Sequence, residues 1–283
     1  MIDYFLTASK NTLLQVILLF GVTGLITALL FLFQYMIGVV LSKTFGWGSV
    51  YLTGWIGVPV HELSHALLCV IFRHKIVEIS LFKPDPYSGV LGYVSHNFNP
   101  KSYFQNVGNF FIGVAPLFVG SILLYIVYNT FFAAYSAAPV HMEFDLSHPI
   151  DSITNMISKI MNQVDQNAQM LKSAFTNPGI WTIILIYVMA SISTHIAPST
   201  TDLRNGLPGF ALIVAALFIY NLIVGLIGYP TPDLHGLLTN YLAKLQGILT
   251  FGLTLTLYTF ALVYAPLAIF HLIAYRKFLN PLY

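Results

Sequence analysis

Six stretches of the chain are apolar over roughly the 20 residues that a helix needs to cross a hydrocarbon core: 12–41, 49–73, 106–135, 179–198, 207–229 and 247–274. Inside a bilayer no water satisfies the backbone, so such stretches can only be helices packed side by side. The expected fold is an all-α polytopic membrane protein with about six transmembrane helices, one membrane domain over residues 1–283. Composition points the same way: 8% of residues are charged and the mean hydropathy is +0.77, against about 25% charged in soluble domains. A net charge of +2 with 12 scattered Lys and Arg excludes a nucleic-acid surface. One cysteine, Cys69, excludes an internal disulfide and reads as packing. The N-terminal MIDYFLTASK shows no small-residue cleavage site, so the first apolar run reads as an uncleaved anchor.

Between the third and fourth stretches lies one polar insert, about 137–178. Its later part places Ile153, Met156, Ile157, Ile160, Met161 and Val164 at helical spacing behind Asp151, the pattern of an amphipathic helix lying on the membrane or over the bundle. With six crossings, Lys10, Arg73, Lys75, Lys83, Lys101, Arg204, Arg276 and Lys277 fall on one side and Lys43, Lys159, Lys172 and Lys244 on the other. The positive-inside rule then puts both termini in the cytoplasm, and the short loops fit a prokaryotic plasma membrane.

In the second stretch, GWIGVPVHELSHALLCVIF, three ionisable residues stand among apolar ones: His61, Glu62 and His65. On a helix His61 and His65 share one face and can reach a single ion, while Glu62 reaches the neighbouring space and can take a proton from an attacking water. This is the zinc-hydrolase spacing. Pure packing would leave three costly groups at mid-membrane without a partner. Pro59 removes a backbone donor two residues before His61 and should kink the helix or widen its groove.

A catalytic zinc takes three protein ligands and keeps one position open, so a third donor is needed. Asp202, His195 and His271 are the candidates within or beside apolar segments. Asp202 lies in STHIAPSTTDLRNGLPGF, where Pro198, Gly206, Pro208 and Gly209 break the helical pattern. Irregular backbone at membrane depth is tolerated where it lines a wet cavity, which favours a site role for Asp202 over a helix cap or turn. For His195, support of a ligand or core packing is favoured over direct ligation, and His271 fits packing or the interface. His74, His96, His141, His148 and His235 read as loop residues without a catalytic role.

In order and spacing these features resemble the site-2 protease family of intramembrane metalloproteases. VPVHELSHALLCVIFRHKIVEISLFKPDPYSGVLGYVSH is similar to the family's catalytic helix and following β-hairpin. NVGNFFIGVAPLFVG is similar to its next helix, and HIAPSTTDLRNG stands where the family has a proline-rich segment ending in Leu-Asp-Gly. Ser64 replaces the usual glycine before the second histidine, and Asp202 is flanked by threonine and leucine. The resemblance covers about residues 50–210. It implies that His61, His65 and Asp202 bind zinc, that Glu62 is the catalytic base, and that access is regulated by the insert, the outer helices or a membrane partner.

The expected activity is hydrolysis of a peptide bond in or near a transmembrane segment of a membrane protein, with the cut towards the cytoplasmic side. A substrate helix must unwind first, because its carbonyls are hydrogen-bonded and covered. VEISLF (77–82) and GVLGYV (89–94) flank the turn KPDPYS, and the free hairpin edge at Val77, Ile79 and Leu81 could add the unwound segment as a strand or merely shield the site. Asn106 and Asn109 could bind substrate backbone or solvate a helix end. The alternative functions are a membrane transporter, or a haem- or metal-binding membrane protein, using the same His, Glu and Asp cluster.

Overall fold

The computed structural model describes residues 2–131, 144–174, 179–227 and 234–282. It begins with one continuous helix: α1 (Ile2–Val16), a π-helical turn (Ile17–Gly21) and α2 (Val22–Phe45). A 3₁₀ turn (Trp47–Val50) reverses the chain into α3 (Tyr51–Ile71). A hairpin of β1 (Lys75–Ser80) and β2 (Tyr93–Asn97) follows, then α4 (Tyr103–Gly113), α5 (Ala115–Phe131), α6 (Pro149–Ala174), α7 (Ile180–Ser193), α8 (Thr200–Ile227) and α9 (Leu234–Tyr275). Among the described residues four helices are long and apolar enough to cross a membrane: Asp3–Phe45, Trp47–Ile71, Thr200–Ile227 and Leu242–Tyr275. A fifth span arises if α4 and α5, bent by 55° at their junction, are taken together; α7 has 14 residues, fewer than a bilayer core requires.

The burial pattern marks the solvent as lipid. α3 buries Gly54, Gly57, Glu62, Ser64 and His65 while Leu63, Leu67, Val70 and Ile71 stay exposed. A helix that turns polar and small groups inward and aliphatic ones outward is stable only where the surroundings are apolar. α9 likewise buries Gln246, Thr250, Thr254 and Thr256, with Thr250 and Thr254 returning their hydroxyls to the carbonyl four residues back. This is a membrane-embedded, mainly helical protein. α3 runs through Pro59 without interruption.

Several sequence expectations change. The strands lie at 75–80 and 93–97, not 77–82 and 89–94, because the reversal is longer than a tight turn. Lys83 N–H donates to the Leu91 carbonyl, and Asp85 accepts from Tyr87 and Ser88 to close the tip. The hairpin then folds back along α3, with Gly92 against Val58 and Phe82 against Gly54 and Tyr51. That carries Lys83 to the Trp47 end of α3, away from Arg73. The C-terminal segment also lies at that end, since Lys43 Nζ donates to the Asn280 carbonyl and Thr44 Oγ1 meets His271 Nε2 at 3.1 Å. Lys83, Arg276 and Lys277 therefore join the Lys43 side, while Lys244, near the start of α9 and parallel to α2, moves to the other; this erases the charge bias and with it the inference that both termini are cytoplasmic.

The insert forms α6, which packs on α9 and buries Ser152, Met156, Ile160, Gln163, Asn167 and Leu171; Asn167 Nδ2 donates to Thr254 Oγ1 of α9 at 3.1 Å. Ile153, Ile157 and Met161, expected on the same apolar face, are exposed. Residues 137–143 and 175–178 of the insert, with His141, and the span ends 132–135 and 228–229 lie outside the described residues. His235 falls in the first turn of α9, not in a loop.

Close approach of α4 and α8 depends on glycine. A Cβ on Gly209 would stand 2.5 Å from the Asn106 carbonyl oxygen and 2.9 Å from the Phe110 nitrogen, both backbone atoms. Gly209→Ala is expected to destabilise the fold by about 1–3 kcal/mol, read as a lower melting temperature in detergent. Gly24→Ala, whose Cβ meets nothing within 4 Å, is expected to leave the melting temperature unchanged.

Candidate functional site

His61 and His65 lie one turn apart on α3, their ring centroids 4.8 Å apart. Each donates from Nδ1 to a backbone carbonyl, His61 to His195 and His65 to Ile112, both at 2.7 Å. With Nδ1 protonated, each neutral ring keeps its lone pair on Nε2. Both Nε2 atoms face one carboxylate: His61 Nε2 is 3.5 Å from Asp202 Oδ2 and His65 Nε2 is 3.5 Å from Asp202 Oδ1.

Local sequence explains why those two carbonyls are available. Ile112 stands four residues before Pro116, which has no N–H to close the next helical bond, and the chain bends there between α4 and α5. His195 stands three residues before Pro198, and the next N–H, that of Ser199, is committed to Asp202 Oδ2 at 2.7 Å. Asp202 N–H in turn donates to Ser199 Oγ at 3.1 Å. This reciprocal pair is a capping box at the start of α8, so Asp202 sits in the first turn of a helix and its carboxylate is oriented by that helix's N-terminus. Gly113 lets α4 approach: a Cβ there would stand 2.5 Å from the Asp202 carbonyl oxygen.

The three donor atoms lie within 4.8 Å of one another and could hold a metal ion. Ligands about 2.1 Å from a tetrahedral ion are about 3.4 Å apart; each Nε2 is 3.5 Å from a different Asp202 oxygen, and the set of one donor atom per residue, within 4.8 Å, is wider than that ideal. Rings tethered at Nδ1 and a hydrogen-bonded carboxylate are the usual support of such ligands. The donor set, two imidazoles and a carboxylate converging from two helices, could hold a metal ion.

Around this cluster is a cavity of about 440 Å³, within the range of about 300–1,000 Å³ for small-molecule sites. Glu62, 6% exposed, lines it beside His61, His65 and Asp202. Asn109 lines it as well, whereas Asn106 turns its Nδ2 to the carbonyls of Pro100 and Ser102 and supports the start of α4. His195 borders the cavity and serves the cluster through its carbonyl; its ring Nδ1 is engaged by the Ser191 carbonyl at 3.0 Å. His271 is engaged by Thr44 and takes no part. Val77, Ile79 and Leu81 are exposed and do not border the cavity; residues 89–94 of the other arm do.

Sequence reasoning missed Gln34, His96 and Asn205, which also line the cavity. Gln34 carries a buried Oε1 with no partner among the described residues. A lone amide inside an apolar run was the available signal for it. A scan against family models, a search of curated proteins and a search of solved structures each find no match to this chain.

Pro116→Ala restores an N–H four residues after Ile112 and offers its carbonyl a competing donor. It is expected to weaken metal affinity about 10-fold or more, measured by titrating purified protein with a divalent ion against a competing chelator.

Proposed function

We propose that the chain is an intramembrane zinc metalloprotease that hydrolyses a peptide bond in or near a transmembrane segment of a membrane protein, as its resemblance to site-2 proteases implies. The observation carrying this reading is the position of Glu62, buried in the wall of the cavity that holds the His61, His65 and Asp202 donors. A transporter needs polar residues spread along a path across the membrane, whereas Glu62 and the three donors gather around one cavity. His61 and His65 lie on one helix and cannot bind opposite faces of a haem.

Zinc held by the three donors would lower the pKa of a bound water to about 7 and polarise the scissile carbonyl. Glu62 takes a proton from the attacking water and delivers it to the departing amine as the carbon–nitrogen bond breaks. The His195 and Ile112 carbonyls hold both imidazoles in the tautomer that presents Nε2. Residues 89–94 line the same cavity, where an unwound substrate could lie as an added strand. His61 is ten residues past Tyr51 on α3, about 15 Å along the helix.

Purified wild type is expected to carry about one zinc per chain, lost in His61→Ala, His65→Ala and Asp202→Ala. Glu62→Gln is expected to keep the zinc and lose about 10²–10⁴-fold of cleavage, with metal content read by mass spectrometry and cleavage by a quenched-fluorescent peptide carrying one apolar segment. Zinc-free wild type, or full activity of Glu62→Gln, would sink the reading.

A further inference from the structure

Side chains alternate along a strand, and in β2 Val94 and His96 are the half-buried pair between exposed Tyr93, Ser95 and Asn97; both border the cavity. His96 is joined there to a group outside the metal cluster. Its Nδ1 lies 3.0 Å from His74 Nδ1, and His74 Nε2 lies 2.9 Å from the Gln105 carbonyl oxygen. These contacts fix both tautomers. A carbonyl can only accept, so His74 carries its proton on Nε2 and offers Nδ1 as an acceptor. His96 must then donate from Nδ1, which leaves the lone pair on Nε2.

The surroundings of His74 are built to hold it. It is 5% exposed and stacks on Phe98 at 5.3 Å. It follows α3 through a Schellman motif in which Arg73 N–H donates to Val70 and His74 N–H to Cys69. The left-handed position of that motif is occupied by Arg73 at φ 59° where glycine is usual, and Gln105 Nε2 clamps the Arg73 carbonyl at 2.8 Å. Backbone held in such a conformation by its neighbours is found at functional sites. The register shift at Val77 sits beside the Ile76 and His96 pair, and bulges of this kind re-aim strand side chains next to active sites. Burial, then the adjacent His74 and His65, push the His96 imidazole below its ordinary range, and burial does the same to His74. Both rings are therefore neutral at pH 7.

We propose that His96 is a substrate-binding residue of this cavity: its Nε2 accepts a hydrogen bond from a backbone N–H of the unwound polypeptide, and His74 with Gln105 are positioning residues that keep it an acceptor. The proposal rests on the protease reading. An unwound segment brings N–H groups that have lost their helical acceptors, and leaving one unpaired in a buried site is expensive. An acceptor fixed in the wall reads the backbone and not the side chains, so this contact tolerates variation in substrate sequence.

Two measurements on the full chain in detergent test it. In ¹⁵N-histidine NMR the resonance that disappears in His96→Gln is expected to report an Nδ1–H tautomer in wild type and to change to Nε2–H in His74→Phe. A wild-type His96 in the Nε2–H form overturns the proposal. With the quenched-fluorescent apolar peptide, His96→Phe is expected to raise KM about tenfold with kcat within about twofold and zinc content unchanged. His96→Gln, whose side-chain carbonyl can accept, is expected to recover most of that loss. A KM unchanged in His96→Phe, beside an inactive Glu62→Gln, overturns this contact alone. A fully active Glu62→Gln overturns the protease reading and this contact with it.

Discussion

Two hydrogen bonds organise the centre of the molecule: His61 Nδ1 to the His195 carbonyl and His65 Nδ1 to the Ile112 carbonyl. Each joins α3 to a different helix break, and together they fix which nitrogen each ring presents to Asp202. In an apolar interior a backbone carbonyl is normally consumed by its own helix. The site can exist only where helices stop, and Pro116 and Pro198 provide those stops. The prolines act through what they lack, an N–H, and the imidazoles take up the acceptors so released.

Small residues supply the other half of the arrangement. Gly57 lies against the Ser191 carbonyl and the His195 ring, Gly113 against the Asp202 backbone and Gly209 against Asn106. With lipid outside there is little hydrophobic drive between helices, so association relies on close backbone contact and polar pairing. Each glycine lies where a side chain would push an element that carries a cluster or cavity-lining residue outward. The same economy appears away from the site, where Asn221 and Gln15 exchange amide hydrogen bonds between α8 and α1.

The hairpin shows where reading from sequence stopped short. The alternation around 77–82 and 89–94 announces a β-hairpin, yet which arm faces the cavity depends on packing against α3. That contact is made by Gly92 at Val58 and by Phe82 at Tyr51. The same folding-back takes Lys83 to the far end of α3, an outcome invisible to a count of charges between apolar runs. His96, set aside as a loop histidine, borders the site because its bond to His74 spans two elements 22 residues apart.

The amino-acid order by itself determined a membrane-embedded helical chain, since its apolar runs admit no other satisfied backbone, and it determined the pairing of His61 with His65 on one helix face, since 3.6 residues per turn requires it. Only the tertiary structure shows why Asp202 and not His195 completes the cluster, because that turns on which breaks meet in space. The Ser199 capping box aims the carboxylate at both Nε2 atoms, while the His195 ring is held by Ser191 and only its carbonyl reaches the cluster. A sequence specifies spacing along one helix, but convergence from α3, α4 and α8 is set by the glycine contacts and proline breaks that bring them together.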